Sequence, residues 1–183
     1  MTHEDALEAV RDNVENENLV KHMLATEAIM RTLANRMGED EEKWGLAGLL
    51  HDIDVELTEG DMHSHGVLGS DLVREMDVGD DIAQAILAHN ETLGVPRETS
   101  LEKALFCADP LTGLITAAAL VRPDKKLASV EVKSVRKRFK EKSFAAGASR
   151  EGIASCSEIG MELDEFIELG LRAMQGIAGD LGL

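Results

Sequence analysis

The fold class this sequence predicts is an all-α bundle of about eight helices with a C-terminal helical extension, and three observations predict it. Apolar residues recur at helical spacing almost from end to end, and no stretch alternates as a half-buried strand would. The apolar share is 44% but aromatics make up only 3%, with no Tyr and one Trp, so the core has to be built from Leu, Ile, Val, Met and Ala. That mixture favours helix over sheet. At 183 residues the chain is long enough for one well-buried unit, and we expect a single domain over 1–183, with its core at about 18–122 and the extension at about 123–183.

The periodicity predicts a short acidic helix near 4–15, then a longer one from about Asn18 to Met37 that Gly38 stops, with Leu19, Met23, Ile29, Met30 and Leu33 facing inward. The stretch EDEEKWGLAGLLHDI is the next helix, its acids in the first turn where the helix dipole favours them. TEGDMHS is loop, followed by helices from about His65 to Met76 and Gly79 to His89. A second loop, ETLGVPRETS, ends in a capping signal, with Thr99 or Ser100 ahead of Glu102. A long helix then runs from about Leu101 to Val121. After RPDKK come a basic helix near 129–141, a short one near 149–155 and a final amphipathic helix near 163–179.

Net charge is −16, unevenly spread: Arg122–Lys142 carries nine Lys/Arg against three Asp/Glu, a local +6, which leaves −22 on the rest. So acidic a surface predicts that nucleic-acid polymers are repelled, while the basic segment would still meet a small anion. Cys107 and Cys156 lack the spacing of a zinc knuckle or redox pair and sit in apolar surroundings. The segment MTHEDALEAVRDNVE is acidic and has no apolar signal core, and the apolar run from Ala104 to Val121 is interrupted by Asp109, Pro110, Gly113 and two Thr. A cytoplasmic protein with no membrane association is expected.

Within that run Asp109 is the only charged residue, and a buried carboxylate is costly unless something cationic meets it. His22 shares a face with Leu19, Met23, Thr26 and Ile29, while His51 and Asp52 end an apolar helix; His65 opens one helix and His89 ends another. Each alone is explained by core hydrogen bonding or capping. Together they are the imidazole and carboxylate donors that divalent first-row metals accept where no thiolate is present, and a metal would supply the charge Asp109 needs.

The ordered set His22, His51-Asp52 and Asp109 resembles the signature of the HD-domain superfamily of metal-dependent phosphohydrolases, here of the kind with additional metal-ligand histidines. LLHDID is similar to that family's apolar helix ending in His-Asp, HGVLGSDLV to its His-x-x-x-Gly segment, AILAHNE to a segment that often reads His-His-Glu, and ADPLTGL to the helix bearing the last Asp. The resemblance implies an all-helical fold in which His22, His51, Asp52 and Asp109 bind one metal, and His65 and His89 a second, with Asp52 bridging. The cofactors implied are one or two divalent ions, Mn, Fe, Co, Ni or Zn, with Mg as an alternative. Asn90 stands where many relatives have another His, and Asp54 and Val55 replace the Gly and Lys that often follow His-Asp.

The implied reaction is hydrolysis of a phosphate ester or anhydride of a small nucleotide or phosphorylated metabolite by a metal-activated hydroxide, with Asp52 at the reacting centre. His63, Asp54 and Asp61 are the nearby acids or bases, and nothing in the sequence chooses among them. Arg122, Lys125 and Lys126 are expected to anchor substrate phosphate. Two rival readings accompany this one: a di-iron oxygenase on the same fold, and a non-catalytic nucleotide-binding signalling module.

Overall fold

In a computed structural model that describes residues 1–183, every regular element is helical, as expected. α1 (His3–Asn13) begins in a capping box in which Thr2 and Asp5 bond reciprocally. α2 (Glu17–Met37) stops at Gly38, which adopts the left-handed conformation. α3 (Glu41–Leu50) is capped by Asp40 and nearly all buried, so it has no polar stripe to read. Turns occupy 51–66 before α4 (Val67–Glu75), and α5 (Asp80–His89) follows. α6 (Ser100–Leu120) has the expected capping box, with Thr99 as the cap and Glu102 as its partner. α7 (Val132–Lys140), α8 (Arg150–Ala154), α9 (Leu163–Gly176) and α10 (Ala178–Leu181) complete the chain, with 3-10 turns at Glu91–Leu93, Leu127–Ser129 and Ser155–Ile159. Ten helices stand where the sequence places nine, because the last amphipathic stretch breaks at Ile177, which leaves the helical region of the backbone.

α2 and α6 are the central pair. α3 and α9 pack on α2, α5 packs on α6 and α3, and α4 lies outside α5. One apolar cluster joins Ala6 in α1 to Leu181 in α10, so the C-terminal helices share the core of the first six. α6 is the one helix long and apolar enough to cross a membrane, and its apolar side chains are instead spent on this core. α6 also runs straight through Pro110, although a proline there removes one backbone donor from the helix ladder. His65 lies in the turn region ahead of α4, not in its first turn. Gly66 takes φ 82°, a left-handed conformation that ends the turn and turns His65 inward.

Candidate metal centre

Four helices and one turn bring the six expected ligands together. His22 projects from the second turn of α2 and Asp109 from the middle of α6. His51 caps the C-terminus of α3 with Asp52 directly after it, His65 comes from the turn before α4, and His89 is the last residue of α5. His22 Nε2 lies 3.2 Å from His51 Nε2 and 3.1 Å from Asp109 Oδ1. On the other side, His65 Nε2 and His89 Nε2 are also 3.2 Å apart. Asp52 sits between the two groups: Oδ2 is 3.4 Å from both His22 and His51, and Oδ1 is 3.4 Å from both His65 and His89.

The outer nitrogens show which form the imidazoles take. His51 Nδ1 donates to the Gly48 carbonyl at 2.8 Å, and His89 Nδ1 donates to the Ile86 carbonyl one turn back. His65 Nδ1 donates to Asp54 Oδ1 at 2.9 Å. The Thr112 hydroxyl donates to the Asp109 carbonyl at 2.7 Å and accepts from His22 Nδ1 at 2.8 Å. With Nδ1 carrying the proton in each ring, four Nε2 lone pairs face one another and two carboxylates. In the neutral rings these lone pairs converge at 3.2 Å, as a ligand set does, and without a metal only protons can sit between them. The residues therefore fit one or two divalent metal ions, in two sets of His and Asp donors whose atoms lie within 4.8 Å of one another.

The electrostatics agree. Burial opposes charge on His22, but the Asp109 and Asp52 carboxylates outweigh it and raise its pKa to about 10. Burial likewise opposes charge on His65, and Asp52 and Asp54 raise it to about 10. His89 is raised against its burial by Asp52. Burial would push Asp52 up, yet His51, His22 and His65 hold it well below the usual carboxylate range; Asp109 is lowered against its burial by His22. The centre demands positive charge. A metal ion supplies it by taking the place of protons at Nε2, and the outer hydrogen bonds at Nδ1 leave that nitrogen free to ligate. Asp109 itself is less enclosed than its neighbours in sequence suggest: 32% of its side chain is exposed, at the edge of a cavity.

Other expected site residues lie elsewhere. Asp54 is wholly buried behind His65, with Oδ2 also accepting from the Gly66 and Gly69 amides at 2.7 and 2.8 Å, so it orients a ligand and faces no cavity. His63 is exposed in the turn region, and Asp61 caps the turn through His63 and Ser64. Arg122 donates to Ser129, Lys125 and Lys126 are exposed, and none of the three lines the cavities beside Asp109. Asn90 is committed to the backbone: its amide nitrogen donates to the Met62 and His65 carbonyls and its oxygen accepts from Thr92, so it braces the His65 turn. Thr112 was not anticipated, although its place three residues after Asp109 on one helix is a legible signal. A cavity of about 380 Å³ opens beside Asp52, His65, His89 and Asp109, walled by Phe106 and Gly147.

The HD domain family matches residues 19–113, just over half of the chain, a span that includes all six candidate ligands. The arrangement is that of a metal-binding catalytic centre suited to phosphohydrolase chemistry. Among similar proteins, Ribonuclease Y of Oleidesulfovibrio alaskensis is 33% identical over 98 residues, covering 54% of this chain and 18% of the relative. Ribonuclease Y of Lawsonia intracellularis is 29% identical over 138 residues (74% and 26%), and that of Sulfurovum sp. 32% over 139 (74% and 27%). The chain thus spans about a fifth to a quarter of the length of these relatives. No solved structure matches it. These relatives overturn the expectation that nucleic-acid polymers are excluded, since a ribonuclease is named for acting on RNA. The expectation rested on net charge, which sums the whole surface and does not describe any one part of it.

Proposed function

Because this chain belongs to the HD-domain family, we propose that its phosphohydrolase centre cleaves a phosphoester bond of a nucleotide, free or within an RNA chain. The observation that carries this reading is Asp52, whose two oxygens face separate imidazole sets at equal 3.4 Å distances. His22, His51, Asp52 and Asp109 would hold one ion, and Asp52, His65 and His89 a second. When bound, such ions bring the pKa of water towards neutrality and offset charge on phosphoryl oxygens. The chain's own part is to keep both carboxylates ionised and all four Nε2 lone pairs directed inward, through Thr112, Gly48, Asp54 and Ile86. The cavity's 380 Å³ is within the span of about 300–1,000 Å³ common to small-ligand sites. A nucleotide is favoured over other phosphoesters by the likeness to proteins named Ribonuclease Y.

The test is turnover of a panel by protein loaded with Mn²⁺, Fe²⁺, Co²⁺, Ni²⁺, Zn²⁺ or Mg²⁺. The panel should hold p-nitrophenyl phosphate, bis-p-nitrophenyl phosphate, nucleoside phosphates, cyclic nucleotides and short oligoribonucleotides. Turnover of nucleotide phosphoesters that disappears on chelation and in Asp52→Asn is expected. Metal-loaded protein that hydrolyses no member of the panel would overturn the reading.

A further inference from the structure

The segment between α7 and α8 lies against the metal centre, and its backbone is organised by one side chain. Arg150 sends its guanidinium into the loop and donates to six main-chain carbonyls: Arg138, Phe139, Glu141, Phe144, Ala145 and Ala148. No carboxylate pairs with it; its charge is met by these carbonyl dipoles and by the Phe139 ring, 6.0 Å from the guanidinium carbon. In a trans peptide the N–H lies opposite the C=O. With the Phe144 and Ala145 carbonyls turned to Arg150, the amides of Ala145 and Ala146 must therefore point away from it. These two and the Gly147 amide form three successive N–H groups with no acceptor in the protein. Ala145 has φ 45°, the left-handed turn that makes consecutive amides converge.

Their place in the fold gives them an address. Ala145 and Gly147 line a cavity of about 300 Å³ together with His22, Asp109 and Pro110, and Gly147 also lines the larger cavity beside Asp52. Neither cavity is lined by Lys or Arg, so the site offers no side-chain cation to a phosphate there. We propose that Ala145–Gly147 is the phosphate-binding element of this centre, its amides donating to a phosphoryl oxygen beside Asp109, with Arg150 as the positioning residue that fixes the loop and adds positive potential behind it. This rests on the phosphohydrolase reading above for its substrate, but the site takes any phosphate monoanion or dianion.

The experiment is titration of isotopically labelled, Zn²⁺-loaded protein of residues 1–183 with inorganic phosphate, following backbone amide resonances, beside calorimetric affinities and steady-state kinetics for wild type and Arg150→Lys. Saturable shifts at Ala145, Ala146 and Gly147 are expected. Arg150→Lys, with fewer donors for the same carbonyls, should bind phosphate about tenfold more weakly and raise KM for a phosphoester more than it lowers kcat, at unchanged metal content. The proposal fails if saturating phosphate leaves those three amides in place, or if Arg150→Lys binds phosphate within about twofold of wild type. Should the variant lose metal, the wild-type resonances alone decide. Turnover without loop shifts would leave the hydrolase standing and remove this site; loop shifts without any turnover would do the reverse.

Discussion

Asp54 has three donors on two oxygens, and that arithmetic makes it hard to replace. Oδ1 takes the His65 Nδ1 proton and Oδ2 takes the Gly66 and Gly69 amides, all in a position with no solvent exposure. An asparagine has one acceptor oxygen, so either His65 or the two amides must face an NH2 group. Asp54→Asn should cost about 1–3 kcal/mol in unfolding free energy and weaken metal bound by His65 and His89 by about 10- to 100-fold. Metal stoichiometry with competition titration measures the second effect, and two tightly held equivalents would contradict it. Thr112 plays the matching part for His22. Thr112→Val removes the acceptor for Nδ1 while keeping the volume, and should weaken the ion shared by His22, His51 and Asp109 by about tenfold. Thr112→Ser should restore it, and a serine variant no better than valine would mean that the hydroxyl is not what orients the ring.

α3 approaches α2 so closely at Gly48 that there is no room for a methyl group: a Cβ there would lie 2.8 Å from both Cα and N of Glu27. Backbone cannot move aside as a side chain can, and the Gly48 carbonyl also holds His51 Nδ1. Gly48→Ala should therefore destabilise the fold by about 1–3 kcal/mol and loosen metal at His51 in the same step. Gly176→Ala at the end of α9 meets open space and should be neutral or stabilising by up to about 1 kcal/mol. Chemical denaturation and metal analysis of the two variants side by side test the contrast; equal stabilities would mean that α3 can shift. Such pairings also mark where sequence reading stopped. The helices were legible because their apolar spacing and capping residues are local; the six candidate ligands stood out as imidazoles and carboxylates on apolar helices, and the resemblance to the HD-domain family gave them their roles. Asp54 behind His65, Thr112 beside His22 and Asn90 in the turn depend on where distant segments meet, and the amides of Ala145–Gly147 carry no side-chain signature at all. The basic stretch was ambiguous for the same reason: Arg136 of α7 pairs with Asp164 of α9, so part of its charge serves helix packing.

Taken over the whole molecule, the metal centre is the joint at which α2, α3, α5 and α6 meet, so its charge state is also a matter of fold stability. In chelated protein, His22 and His65 have pKa values raised to about 10 in the folded state against about 6.5 unfolded. A raised folded-state pKa stabilises fully below the unfolded value and is lost as pH climbs through the folded one, so these two contributions fade between about pH 6.5 and 10. The Asp52 and Asp109 carboxylates have the opposite sign: lowered in the fold, they stabilise above the ordinary carboxylate pKa near 3.8 and are lost as pH falls below it. Metal binding replaces the imidazole protons, so loaded protein has no such protons to lose between pH 6.5 and 10, while its affinity for metal grows as those protons leave. The difference in melting temperature between metal-loaded and chelated protein should therefore widen steadily from pH 6.5 to 10. General effects of alkali on the other side chains act on both forms and cancel in that difference. A gap that stays constant or narrows across the range would mean that protons do not hold the empty cluster together, and that the helices meet there without needing its charge.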